Sequence, residues 1–191
     1  MTELFQQIQK FDEWLLLLVN RQWTAPFFDW FFPFITDLNR TTIYKICAPL
    51  LLFFALVAFY KKRGVYYFAV IFFTMAACDW ACNLLIKKNV QRLRPPDAGV
   101  DIILRTDFHA GYSFTSNHAS NIFCSMTFLS LLFPKKAKYF LTVAFLVAYS
   151  RMYVGVRYPT DVICGALLGV LFAQIFYRLA ELLRKRKFPN V

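Results

Sequence analysis

Apolar and polar positions divide the chain into long greasy runs separated by short charged or polar islands. Five apolar runs, at about 42–60, 65–86, 118–134, 138–156 and 161–182, each approach the ~20 residues that cross ~30 Å of hydrocarbon. All five are expected to be helices, because an isolated strand leaves its backbone groups unpaired in lipid. Upstream, Gln6, Gln7, Lys10, Asp12 and Glu13 alternate with Leu4, Phe5, Ile8, Phe11 and Leu15–Leu18. That pattern predicts an amphipathic helix over residues 3–20, lying in the interface or entering the bilayer at Trp14. The aromatic, proline-broken stretch Trp23–Phe34 belongs at headgroup level, so 14–36 reads as one distorted span or two interfacial pieces. The expected fold is an all-α membrane protein, a bundle of five to six transmembrane helices with an amphipathic N-terminal segment. It forms one domain over 1–191, with interfacial helices at 1–40, a helical core at 42–182 and a basic cytoplasmic tail at 183–191.

Composition supports this division. The 191 residues are 59% hydrophobic and 17% charged, where a soluble domain is nearer half apolar and a quarter charged. The net charge of +11 is not spread as a nucleic-acid-binding stripe; it sits in clusters between apolar runs. Lys61–Arg63, Lys135–Lys138 and Arg184–Lys187 fall, by alternation, on one side, which the positive-inside rule makes cytoplasmic. Lys87, Lys88, Arg92, Arg94, Arg105, Arg151 and Arg157 then lie on the other side, against the usual bias, and call for an anionic ligand. Cys47, Cys78, Cys82, Cys124 and Cys164 all fall in the runs and read as small packing residues. Gly165 and Gly169 form a Gly-x-x-x-Gly pair for close helix packing.

Three islands carry the candidate chemistry: Lys87–Pro95, Tyr112–His118 and Tyr149–Asp161. Arginine offers a planar fork of donors that matches phosphate oxygens, and lysine a compact charge. Lys87, Arg94 and Arg151 are therefore candidate phosphate ligands. Ser116 offers a hydroxyl at the start of a helix, where free backbone N–H groups favour an anion. His118 is placed to donate a proton to a leaving oxygen. His109, in the intervening loop, reads as a surface residue.

Taken together, Lys87-x6-Arg94-Pro95, Thr115-Ser116-Asn117-His118 and Ser150-Arg151-x9-Asp161 resemble the three-part signature of the type 2 phosphatidic acid phosphatase family. The resemblance implies a metal-independent, cofactor-free lipid phosphatase with a phosphorylated lipid as substrate and no nucleic acid as partner. It implies a bacterial inner-membrane location with the site facing the periplasm. By the family's pattern, Lys87, Arg94, Ser116 and Arg151 hold the phosphate, with Asn117 and Ser150 in the same pocket. His118 protonates the leaving group and Asp161 orients the attacking histidine. Two positions depart from the pattern. Asn117 stands where the family has glycine, which is tolerable because asparagine accepts a left-handed backbone better than most residues. Arg157 stands at the position of the nucleophilic histidine, and a guanidinium has no lone pair with which to attack phosphorus. Arg157 is expected to contact Asp161, the phosphate position, or both. The chain then reads as a weak or inactive phosphatase, or as a non-catalytic binder of phosphorylated lipid.

Overall fold

A computed structural model describes residues 3–107 and 111–187, so His109 and the last residues of the basic tail lie outside the described residues. Helices follow one another through the chain, with no strand among the described residues. Helix α1 (Glu3–Leu17) continues into a π-helical turn, Leu18–Gln22, and α2 covers Pro26–Asp37. The long hairpin of α3 (Thr42–Tyr60) and α4 (Lys62–Trp80) comes next; α4 widens into a π-helical run, Ala81–Lys87, and ends in α5 (Lys88–Val90). After a long loop come α6 (Asn117–Leu132), α7 (Ala137–Tyr153) and α8 (Pro159–Lys187). Every one of the five predicted runs is thus a helix. Among the described residues three segments, Thr42–Tyr60, Lys62–Val90 and Pro159–Lys185, are long and apolar enough to cross a membrane. Helices α6 and α7 are shorter, at 16 and 17 residues. The chain is an all-α membrane protein.

Residues 14–36 form two helices rather than one distorted span. Ala25 is extended and Pro26 opens α2, a position where its missing N–H costs nothing. Helix α1 turns its apolar face away from the bundle, where an interfacial helix meets lipid, and seats a partly polar face inward. Phe5, Ile8, Phe11 and Trp14 are exposed, whereas Asp12, Leu16, Val19 and Asn20, spaced along one face, are buried against the bundle.

Helix α6 is the centre of the bundle, flanked by α4, α7 and α8. Cys78, Cys82, Cys124, Phe128 and Ala173 share its buried core, so three of the cysteines do pack as apolar side chains. The glycine pair on α8 lets the two backbones nearly touch: a Cβ on Gly165 would lie 2.6 Å from Ser116 O, and one on Gly169 2.2 Å from Ser120 O. Both contacts fall in the first turns of α6, so close packing and the seating of the second island are one feature. Gly169→Ala is expected to destabilise the protein by about 3 kcal/mol, the upper end for overpacking, as a lowered thermal midpoint in detergent will show.

The two ends of the bundle differ in kind. At one end Tyr60 Oη donates to Leu132 O at 2.5 Å, Tyr67 Oη donates to Glu181 at 2.7 Å, and Arg184 pairs with Glu181 at 2.8 Å. These contacts gather the helix ends next to the three basic clusters. The three islands meet at the opposite end.

Candidate active site

The first island begins where α4 loosens. Lys87 closes the π-helical run, a distortion that recurs at functional sites because it re-aims side chains. Gln91, in a left-handed conformation (φ 48°), ends the helix and releases Arg92–Pro95 into the loop. Lys87 is half-buried and lies within electrostatic reach of Arg94 and Arg157. Burial lowers the Arg94 guanidinium from its usual range, as does the charge of Arg40, against the pull of Asp97 and Asp161.

Asp161 joins all three islands. Its Oδ1 accepts from Arg92 Nη1 at 2.9 Å, while its Oδ2 accepts from Ser113 Oγ and from the Tyr158 amide at 3.1 Å. Its carbonyl accepts from the Ser116 amide at 3.0 Å. The expected contact between Arg157 and Asp161 is therefore not the ion pair found there: Arg92 takes that place. Arg157 Nη1 instead donates to the carbonyls of Tyr112, at 3.0 Å, and Ser113. The reason is local. Gly155, with φ 84°, turns the chain sharply between α7 and α8, and residue 157 leaves that turn facing the 112–113 segment. Burial, then the neighbouring charge of Arg94, pushes the Arg157 guanidinium down to about 10.

Arg151 lies on the last turn of α7, only 2% exposed, with Nη1 donating to Thr36 Oγ1 at 2.7 Å. Ser150 donates to Val147 O at 2.7 Å and sits 3.0 Å from the same Thr36 hydroxyl. Arg157 is 3% exposed. Neither guanidinium has a carboxylate within ion-pair distance among the described residues, and the Nε of each is buried without a hydrogen-bond partner. A buried charge left this way is costly unless an anion joins it.

The second island opens α6. Ser116 is its N-cap, accepting from the Ala119 amide at 3.4 Å, and is fully buried. Asn117 is the first helical residue, so its backbone does not need the left-handed conformation for which glycine would be required. Its side chain instead donates to Asp79 at 2.7 Å and Asn83 at 3.0 Å, and Asn121, one turn on, donates to the same Asp79 oxygen at 3.1 Å. The asparagine at the glycine position is thus held by an acid in α4. His118 follows, half-buried, within electrostatic reach of Arg151, Arg157 and Lys87.

Of the residues that hold this arrangement, Asn20 and Thr36 escaped the reading of the sequence, and Asp12 and Arg92 entered it without these roles. Asn20, fully buried, donates to Ile103 O at 2.9 Å and Tyr153 O at 2.7 Å and accepts from the Ile103 amide at 2.7 Å. It thereby pins the loop over the site to the end of α7. Arg92 is one of four cations in the first island, and spacing alone does not separate it from a phosphate ligand.

A family model described as the PAP2 superfamily matches residues 63–185. The lipid A 4′-phosphatase of Bacteroides thetaiotaomicron is 32% identical over 182 residues, spanning 92% of this chain and 79% of that protein. Among solved structures, Aquifex aeolicus LpxE superposes with a TM-score of 0.67 at 23% identity, covering 86% of this chain and 93% of its own. A PAP2-type phosphatidylglycerolphosphate phosphatase from Bacillus subtilis superposes with a TM-score of 0.66 at 23% identity, over 94% of this chain and 88% of that one.

Proposed function

Since this chain belongs to the PAP2 superfamily, we propose that it binds the phosphate of a membrane lipid between its three islands. In this reading Lys87, Arg94, Arg151 and Arg157 hold the phosphate oxygens, Ser116 and the first amides of α6 complete the cradle, and Asn117 and Ser150 fix its walls. The observation that carries it is the pair of buried guanidiniums, Arg151 and Arg157, without a carboxylate partner among the described residues. Arg92 shows the contrast, since it is held by two acids.

His118 is the proposed proton donor to the leaving oxygen, and Asp161 the group that would orient a histidine at position 157. With arginine there, the covalent route is closed, and hydrolysis is left to direct attack by water. The same substitution adds a cation to the pocket, which favours tight binding of a phosphorylated lipid over turnover. The substrate class is a lipid phosphate monoester or diphosphate, with lipid A, undecaprenyl diphosphate and phospholipid phosphates as candidates. The named activity of the Bacteroides relative supports the first. The proposed setting is a bacterial inner membrane with the site at the periplasmic surface, opposite the three basic clusters. Phosphate release from a panel of these lipids, set beside their equilibrium binding, tests the reading. Stoichiometric binding without release supports the binder, release supports the phosphatase, and neither would overturn both.

The charge state of position 157 makes a separate prediction. A guanidinium lowered to about 10 stays charged below that pH and loses its proton above it. Phosphate affinity is expected to fall progressively as pH rises from 7 to beyond about 10, as the cations of the pocket lose charge, and a titration of binding against pH will show it.

A further inference from the structure

Both terminal nitrogens of Arg92 are fully engaged. Nη1 donates to Thr160 Oγ1 and Asp161 Oδ1, each at 2.9 Å, and Nη2 donates to Gln9 Oε1 and Asp12 Oδ2, each at 2.6 Å. Its guanidinium also lies 3.9 Å from the centre of the Tyr158 ring. Those acceptors come from two places: the start of α8, and helix α1, which precedes the matched family region. Asp12 is fully buried and reaches the start of α8 itself, accepting from the Thr160 amide at 2.9 Å and from the Thr160 hydroxyl.

We propose that Asp12 is a positioning residue of the site, holding Arg92 and, through it, Asp161 and the segment Ser113–Ser116. Arg92 has four acceptors around its two terminal nitrogens, so it braces the islands instead of reaching for phosphate. Asp12 supplies a second carboxylate to this partly buried guanidinium and closes the first turn of α8 at the same time. From there the contacts run onward. Asp161 accepts from Ser113 Oγ and, through its carbonyl, from the Ser116 amide, and the Ser113 carbonyl receives Arg157. The Ser113 amide in turn donates to the Arg92 carbonyl at 2.7 Å. Without Asp12, Nη2 of Arg92 keeps only Gln9, and the guanidinium is free to leave Asp161 for the phosphate. Helix α1 is then part of the site, not an anchor beside it. The inference rests on the reading of the islands as one phosphate site.

Hydrogen exchange on the full chain in detergent, paired with titration by inorganic phosphate, tests it. The Ser113 and Ser116 amides report directly, because their acceptors are Arg92 and Asp161. Asp12→Ala is expected to speed exchange over 113–116 at least tenfold and weaken phosphate binding at least tenfold, with protection over 42–80 unchanged. Asp12→Glu is expected to recover part of both losses, which a mere packing role would not produce. Faster exchange confined to 3–22, with 113–116 and phosphate affinity unchanged, would overturn the proposal. Should Asp12→Ala lose protection over 42–80 as well, Gln9→Leu decides, since it removes one acceptor from Arg92 on a partly exposed helix face. A threefold or greater rise in exchange over 113–116 then supports the role of α1, and no rise rejects it. If the unaltered chain binds no inorganic phosphate, the phosphate reading of the islands fails, while the exchange data still decide the role of Asp12.

Discussion

Arg157→His is expected to raise phosphate release from a lipid phosphate by several orders of magnitude. The scale comes from covalent catalysis elsewhere: removing the nucleophile of subtilisin costs on the order of 10⁶ in kcat. Residue 157 lies between Gly155 and Asp161, in a turn whose backbone hydrogen bonds, Val154 N to Ser150 O and Val156 N to Arg151 O, do not involve its side chain. An imidazole introduced there has Asp161 four residues away, already oriented by Arg92, Ser113 and the Tyr158 amide. The gain is expected to come with an acid-labile phosphoenzyme, absent from the arginine form. His118→Ala in that restored background is expected to lower release again by about 10²–10⁴, the usual contribution of general acid catalysis. Equal turnover by the arginine and histidine forms would place the chemistry on another residue.

The second large effect concerns Arg151. Arg151→Met is expected to weaken phosphate binding by about 100-fold, within the 2–5 kcal/mol that a buried charged partner is worth at an interface. The same change is expected to leave the ligand-free protein as stable as before or to raise its thermal midpoint. Arg151 is buried beside Thr36 and Ser150 with no carboxylate at ion-pair distance among the described residues. Removing a desolvated charge of that kind relieves a cost that only the ligand offsets. A structural arginine would behave in the opposite way, losing stability along with binding. Thermal unfolding with and without phosphate separates the two.

How much of this was legible in the sequence depends on the residue. The five apolar runs became helices because lipid leaves the backbone no other solution, and hydropathy reads that directly. The islands were legible because arginine, lysine and histidine beside such runs are rare without a function. Helix α1 was legible as amphipathic but not in its orientation, since periodicity does not say whether Asp12 faces water or a buried arginine. Arg92 and Arg157 show the same limit: both are cations in an island, and only the fold assigns Asp161 to the first and the 112–113 carbonyls to the second. Asn117 looked like a backbone question and proved to be a side-chain one, answered by Asp79 thirty-eight residues earlier. Thr36 carried no signal, as a single hydroxyl in an aromatic helix.

The central claim is that the three islands form one phosphate site at the membrane surface. Calorimetric titration of the unaltered chain with dioctanoyl phosphatidic acid and with dioctanoylglycerol tests it most directly, because the two ligands differ only in the phosphate. Saturable binding of the phosphorylated lipid at one per chain, no binding of the neutral lipid, and loss of the signal in Arg151→Met are the predicted results. Equal binding of both lipids, or binding of the phosphorylated one that survives Arg151→Met unchanged, would contradict the account.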